Sequence, residues 1–184
     1  MTGSRRAYGI ALLLLAVGGI IIVLAYGMTW ATVTVGVLPG SAEATRELSV
    51  SGRDLYAGAA MCGWVALACV AGVIATRSWG RTLVAVLGLL AGLVASVTAV
   101  WFALDADAAI SGGVADSQGH TAGPAWLLAV VGGLLVVLAS GATIARGRRW
   151  PAMGSRYERS TAMRQRSDWD AQDAGEDPTD DLVE

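Results

Sequence analysis

The chain has 184 residues, 54% of them hydrophobic, with a mean hydropathy of +0.55 and a formal net charge of −2. One histidine and two cysteines provide neither a Ser/His/Asp set nor a metal framework, so no catalytic residue, metal or cofactor is expected. Nucleic acid is not an expected partner, and the apolar excess directs attention to the membrane.

Four long runs carry no charge: 8–26, 56–75, 82–104 and 124–145, with 19, 20, 23 and 22 residues. At about 1.5 Å of rise per residue, each is long enough to cross a hydrocarbon core of about 30 Å as a helix. Lipid offers no partner for backbone N–H and C=O groups, so a helix is required there. The expected fold class is therefore an all-α membrane protein, a four-transmembrane-helix bundle occupying residues 1–145. A short extracellular β-hairpin is expected in the first outer loop, and residues 146–184 form a largely disordered cytoplasmic tail.

The first run follows Arg5 and Arg6. It is longer than the roughly 7–15 residues of a signal-peptide core, so an uncleaved anchor is expected. Arg77 and Arg81 lie in the link between the second and third runs, and seven more arginines follow the fourth; only Arg46 and Arg53 lie on the other side. This asymmetry predicts a multi-pass protein of the cell membrane with both termini cytoplasmic and outer loops at 27–55 and 105–123. Trp30, Trp101 and Trp126 mark the outer ends of spans, and Trp79 and Trp150 the inner side, as two interfacial belts.

In the first outer loop, Trp30 to Val37 alternates with period two and is rich in β-branched residues, which reads as a strand. Leu38 to Ser41 is a turn signal, and Thr45 to Ser51 returns as a second strand. Ser51 and Asp54 then have capping-box spacing at the start of the second span. Asp54 reads as a cap before it reads as a ligand.

The second span is rich in Ala and Gly. Gly58, Cys62 and Ala66 recur every four residues, as do Gly88, Gly92 and Ser96 in the third. Small residues let backbones approach, so these six are the helix-packing candidates, and the two stripes are expected to meet. A homo-oligomer contact is the alternative use of the third-span stripe. Gly132 and Gly133 give the fourth span a similar point of approach. Cys62 and Cys69 are about 10.5 Å apart along a helix, too far for a disulfide. Trp64 lies well inside the second span and reads as core packing, with a ligand platform as the sharper alternative.

The second outer loop, with Asp105, Asp107, Asp116 and His120, reads as a flexible connector of solvated residues, and Pro124 fits the first turn of the fourth helix. No charged residue or histidine falls within the four runs, which argues against an enzyme or an ion-coupled carrier. Beyond residue 146 the tail is first basic and then acidic. The basic part is suited to anionic headgroups at about 1 kcal/mol per residue. Arg156, Tyr157, Trp169, Asp170, Asp177 and Pro178 are the candidates for docking a cytoplasmic protein partner.

Trp150-Pro-Ala-Met-Gly-Ser-Arg-Tyr157-Glu, then Asp168-Trp-Asp-Ala and Gly175-Glu-Asp-Pro-Thr179, resemble the tail of the tryptophan-biosynthesis-associated membrane proteins of actinobacteria. Ser51-Gly52-Arg53-Asp54-Leu55 and the four-span layout are similar to that family too. The resemblance implies a link to tryptophan supply and no defined active site. Two functions follow as expectations: a non-enzymatic tether or modulator, or a small permease or exporter for tryptophan, indole or a related aromatic metabolite.

Overall fold

The computed structural model describes residues 2–36, 45–76, 79–113 and 117–146. The chain divides into two compact units, Met1–Trp150 and Pro151–Glu184, and the second lies outside the described residues. The expected turn at 38–41, Arg77 and the disordered tail also lie outside them.

In chain order the elements are α1 (Thr2–Gly27), β1 (Thr29–Gly36), β2 (Thr45–Ser51), α2 (Gly52–Leu55), α3 (Ala57–Ala75), α4 (Trp79–Leu104), α5 (Ala106–Gly113), β3 (Ser117–Ala122) and α6 (Trp126–Arg146). Helices α1, α3, α4 and α6 are long and apolar enough to cross a membrane. They form a ring in which α1 packs on α3 and α6, and α4 packs on the same two.

The interior is built from small residues. Ala25, Ala66, Ala95, Ala99 and Ala129 are fully buried, whereas Leu13, Leu24, Leu83, Leu90, Leu134 and Leu138 are exposed. A water-soluble bundle would show the opposite, with leucine inside and polar groups outside. An apolar exterior suits lipid, which leaves close packing as the force between helices.

At three of the four seams glycine brings backbone against backbone. A Cβ built on Gly18 would lie 2.8 Å from the Gly132 carbonyl oxygen, joining α1 to α6. One on Gly63 would lie 3.1 Å from that of Gly19, joining α3 to α1. One on Gly92 would lie 2.8 Å from that of Gly133, joining α4 to α6. Neighbouring glycines point about 100° apart on a helix, so Gly18-Gly19 and Gly132-Gly133 each serve two partners.

The sequence pattern differs from this arrangement in which stripes meet. Gly92 and Ser96 face α6 instead of the second span, and Gly88 stands between Ser140 of α6 and Cys69 of α3. On α3, Ala66 is buried and Cys62 is half-buried. Gly58 would bring an added Cβ within 4 Å of nothing. The α1 contact uses Gly63, one position after Cys62, on a different face.

Span edges also move. Helix α4 starts three residues earlier than its uncharged run, so Arg81 sits in its first turn instead of in a link. Arg81 is 4% exposed, with its guanidinium carbon 5.5 Å from the Tyr8 ring centroid and Nη2 donating to the Thr76 carbonyl. A cation over an aromatic face is tolerated there, and the contact ties the start of α1 to that of α4. Pro124 precedes α6 instead of occupying its first turn, and its carbonyl accepts from Leu127 N–H at 3.0 Å.

At the opposite end the expected hairpin is part of a larger sheet. β1 pairs antiparallel with β2 on one side and β3 on the other. The segment 105–123 is thus no flexible connector: it contributes α5 and β3. Asp105 accepts from Ala108 N–H at 2.9 Å and caps α5, and Asp107 Oδ1 lies 3.3 Å from His120 Nδ1 on β3. A third strand relieves the marginal stability of a two-stranded ribbon in water.

Gly92→Ala and Gly133→Ala are each expected to destabilise the bundle by about 1–3 kcal/mol, because the new methyl meets backbone that has no room to yield. Gly58→Ala enters open space and is expected to change stability by less than about 0.5 kcal/mol. Equilibrium unfolding in mixed micelles measures all three, and equal losses at Gly58 and Gly133 would contradict the packing.

Candidate functional site at the sheet end of the bundle

The described side chains with the richest chemistry gather where the sheet meets the helices. Trp30 is the centre. In the β1–β2 register Thr29 faces Ser51 and Ala31 faces Val50, so Trp30 is an extra residue, a β-bulge. Strict alternation would set Trp30 and Ala31 on opposite faces, yet both are buried. The bulge re-aims the indole into the bundle.

There Trp30 is fully buried instead of lying in an interfacial belt. Its ring centroid is 4.8 Å from Tyr26, 5.1 Å from Phe102 and 6.2 Å from Tyr56. Its Nε1–H donates to the Ala25 carbonyl at 2.8 Å, so no polar atom of the ring is stranded. Tyr26 in turn donates to the Ala95 carbonyl at 2.9 Å and lies 2.5 Å from the Thr98 hydroxyl, bridging the ring from α1 to α4.

Ser51-Gly52-Arg53-Asp54-Leu55 now has a physical account. The Asp54 carboxylate accepts from Ser51 N–H at 2.9 Å and from the Ser51 hydroxyl at 2.6 Å. These two bonds hold the Asp54 carboxyl below its ordinary value. The cap serves the four-residue α2 instead of the second span, and Tyr56, with φ −135° and ψ 63°, separates α2 from α3. Gly52 lies under the indole, where a Cβ would be 2.5 Å from Trp30 Cε2. Burial pushes the Tyr56 phenol up, with the Asp105 carboxylate adding to the shift.

Beside this junction a groove of ≈ 320 Å³ runs between α1 and α3. Val23, Tyr26 and Gly27 form one wall, and Ala57, Ala60, Met61 and Trp64 the other, with Arg53 and Asp54 at its head. Trp64 is 59% exposed, so it is a wall of this groove instead of a core residue. Tyr26 and Trp64 are far apart in sequence, and the close seam at Gly19 and Gly63 helps bring their helices together. The docking candidates Arg156, Tyr157, Trp169, Asp170, Asp177 and Pro178 lie outside the described residues.

Trp30→Phe is expected to cost about 1 kcal/mol through the lost hydrogen bond, and Trp30→Ala about 3–5 kcal/mol through the cavity. Thermal unfolding in micelles checks the order. Because the folded Asp54 carboxyl titrates below its unfolded value, its stabilisation is present above that value and fades as pH falls through the folded one. The melting-temperature gap between wild type and Asp54→Asn should thus be constant above about pH 5 and shrink below about pH 3.9. A gap that widens on acidification would contradict the cap.

No curated protein matches the chain. The family model described as Tryptophan-associated transmembrane protein matches residues 12–179, which takes in most of the first span, the other three spans, the sheet and most of the tail. The chain belongs to the tryptophan-associated transmembrane protein family, and is a multi-pass membrane protein.

Proposed function

We propose that this protein is a non-enzymatic tether or modulator in the cell membrane, acting on a protein partner connected with tryptophan biosynthesis. Its termini lie in the cytoplasm, with the sheet outside. The single observation that carries the reading is the closed ring of helices, in which Gly18, Gly19, Gly63, Gly92, Gly132 and Gly133 leave backbone against backbone. Such seams favour a fixed scaffold over one that opens to pass a solute. The tail supplies the docking segment in this reading, with Trp169 as anchor among acids and the preceding arginines against anionic headgroups.

A second reading, a small permease or exporter for tryptophan, indole or a related aromatic metabolite, draws on the Trp64 groove. It requires the groove to extend across the bundle in another state, against the glycine seams.

In-cell crosslinking of the intact chain, compared with a variant lacking residues 167–184, tests the first reading. The truncated protein should lose a cytoplasmic partner while remaining in the membrane, and an unchanged partner set would overturn the tether. Protein-dependent flux of tryptophan or indole in reconstituted vesicles would instead favour the permease. A cysteine placed at Gly112 should react with an impermeant maleimide in intact cells, and one placed at Ser160 only after permeabilisation.

A further inference from the structure

The head of the α1–α3 groove carries an arginine whose neighbours in sequence all have structural work and which itself has none. Ser51 and Asp54 form the cap, Gly52 receives the Trp30 indole, and Leu55 packs against the core. Arg53 is exposed and makes no hydrogen bond or ion pair among the described residues, yet it lines the groove. Both cap bonds go to Asp54 Oδ2, so Oδ1 is not used by the cap, and Asp54 lines the groove together with Arg53.

Below these charges the walls are apolar and open sideways. Met61 is 60% exposed and Trp64 59%, and a Cβ added at Gly27 would meet nothing within 4 Å. Trp64 lies seven positions into α3, about 10 Å below the helix start. A guanidinium and a carboxylate just before the α3 span, above an apolar slot of that length, complement an amphiphile with a dipolar head. Arginine presents a planar fork that matches phosphate oxygens, and the free carboxylate oxygen accepts from a primary ammonium. An exclusively anionic headgroup would meet the Asp54 charge, and a quaternary ammonium has no N–H to donate to it.

We infer that the groove between α1 and α3 is a phospholipid site selective for phosphatidylethanolamine, with the phosphate on Arg53, the ammonium on Asp54 and an acyl chain along Met61 and Trp64. The site goes beyond the tether reading and stands without it. It lies in the leaflet on the sheet side of the bundle.

Bromine on an acyl chain quenches tryptophan at contact, so Trp64 reports occupancy directly. The full chain is placed in phosphatidylcholine nanodiscs containing a small fraction of dibrominated phosphatidylethanolamine, phosphatidylcholine or phosphatidylglycerol. The Trp64 signal is the difference between wild type and Trp64→Phe. Quenching by the brominated ethanolamine lipid should exceed that by either other lipid by about fivefold. Arg53→Gln should abolish the excess, while Arg46→Gln, on β2 and outside the groove, should retain it. Equal quenching by the three lipids, an excess for phosphatidylglycerol, or an excess surviving Arg53→Gln would each overturn the assignment. Loss of quenching on adding free tryptophan would also overturn it, by giving the groove to a soluble zwitterion. Native mass spectrometry of the wild type ejected from mixed-lipid nanodiscs gives a measure independent of the variants. One ethanolamine lipid should be retained preferentially, and unselective retention would sink the proposal.

Discussion

Leucine gains nothing by leaving lipid tails for a neighbouring helix, so a bundle in a bilayer needs some other source of cohesion. In this protein the source is the removal of side chains. Gly18, Gly19, Gly63, Gly92, Gly132 and Gly133 take away the Cβ atoms that would hold backbones apart, and dispersion acts over the surface that then meets. Alanine fills most of what remains, with Ser96 set against Gly133 and Ser140 against Gly88. Sheet, junction and groove all depend on the helix spacing those seams fix.

The junction converts that spacing into a fixed platform. A bulge turns Trp30 inward, Gly52 yields room for it, and the indole is held by Tyr26, Tyr56 and Phe102 from three parts of the chain. The sheet is therefore keyed into the helix ends, since β1 carries the plug and both other strands hang on β1. The same junction leaves Arg53 and the Trp64 groove exposed beside it.

Much of this was legible in the residues. The four uncharged runs located the spans, because lipid imposes a length that few soluble segments meet. Alternation located β1, and the turn signal after it implied β2 as the returning strand. Helix α4 extends past the N-terminal end of its uncharged run to include Arg81, whose charge is accommodated by the Tyr8 ring and the Thr76 carbonyl. Helix partners were less legible, since a four-residue stripe names one face while a glycine doublet serves two. Gly18-Gly19 carried that signal. Ser117–Ala122 has little strand propensity of its own, and it pairs because β1 offers a free edge. The burial of Trp30 was hidden because a bulge is a property of the pairing register, which the alternation of one strand does not reveal.

The order of the sheet sets a schedule for biogenesis. β1 is the middle strand, yet its two partners are made at different times: β2 follows almost at once, whereas β3 is separated from β1 by about eighty residues and two more spans. At about 5–20 residues per second, the nascent chain spends about 4–16 s with one side of β1 unpaired. Unpaired backbone of that kind is a template for other strands. Arrival of Ser117–Ala122 closes it, so completing the sheet is coupled to delivery of the last helix hairpin by the insertion machinery.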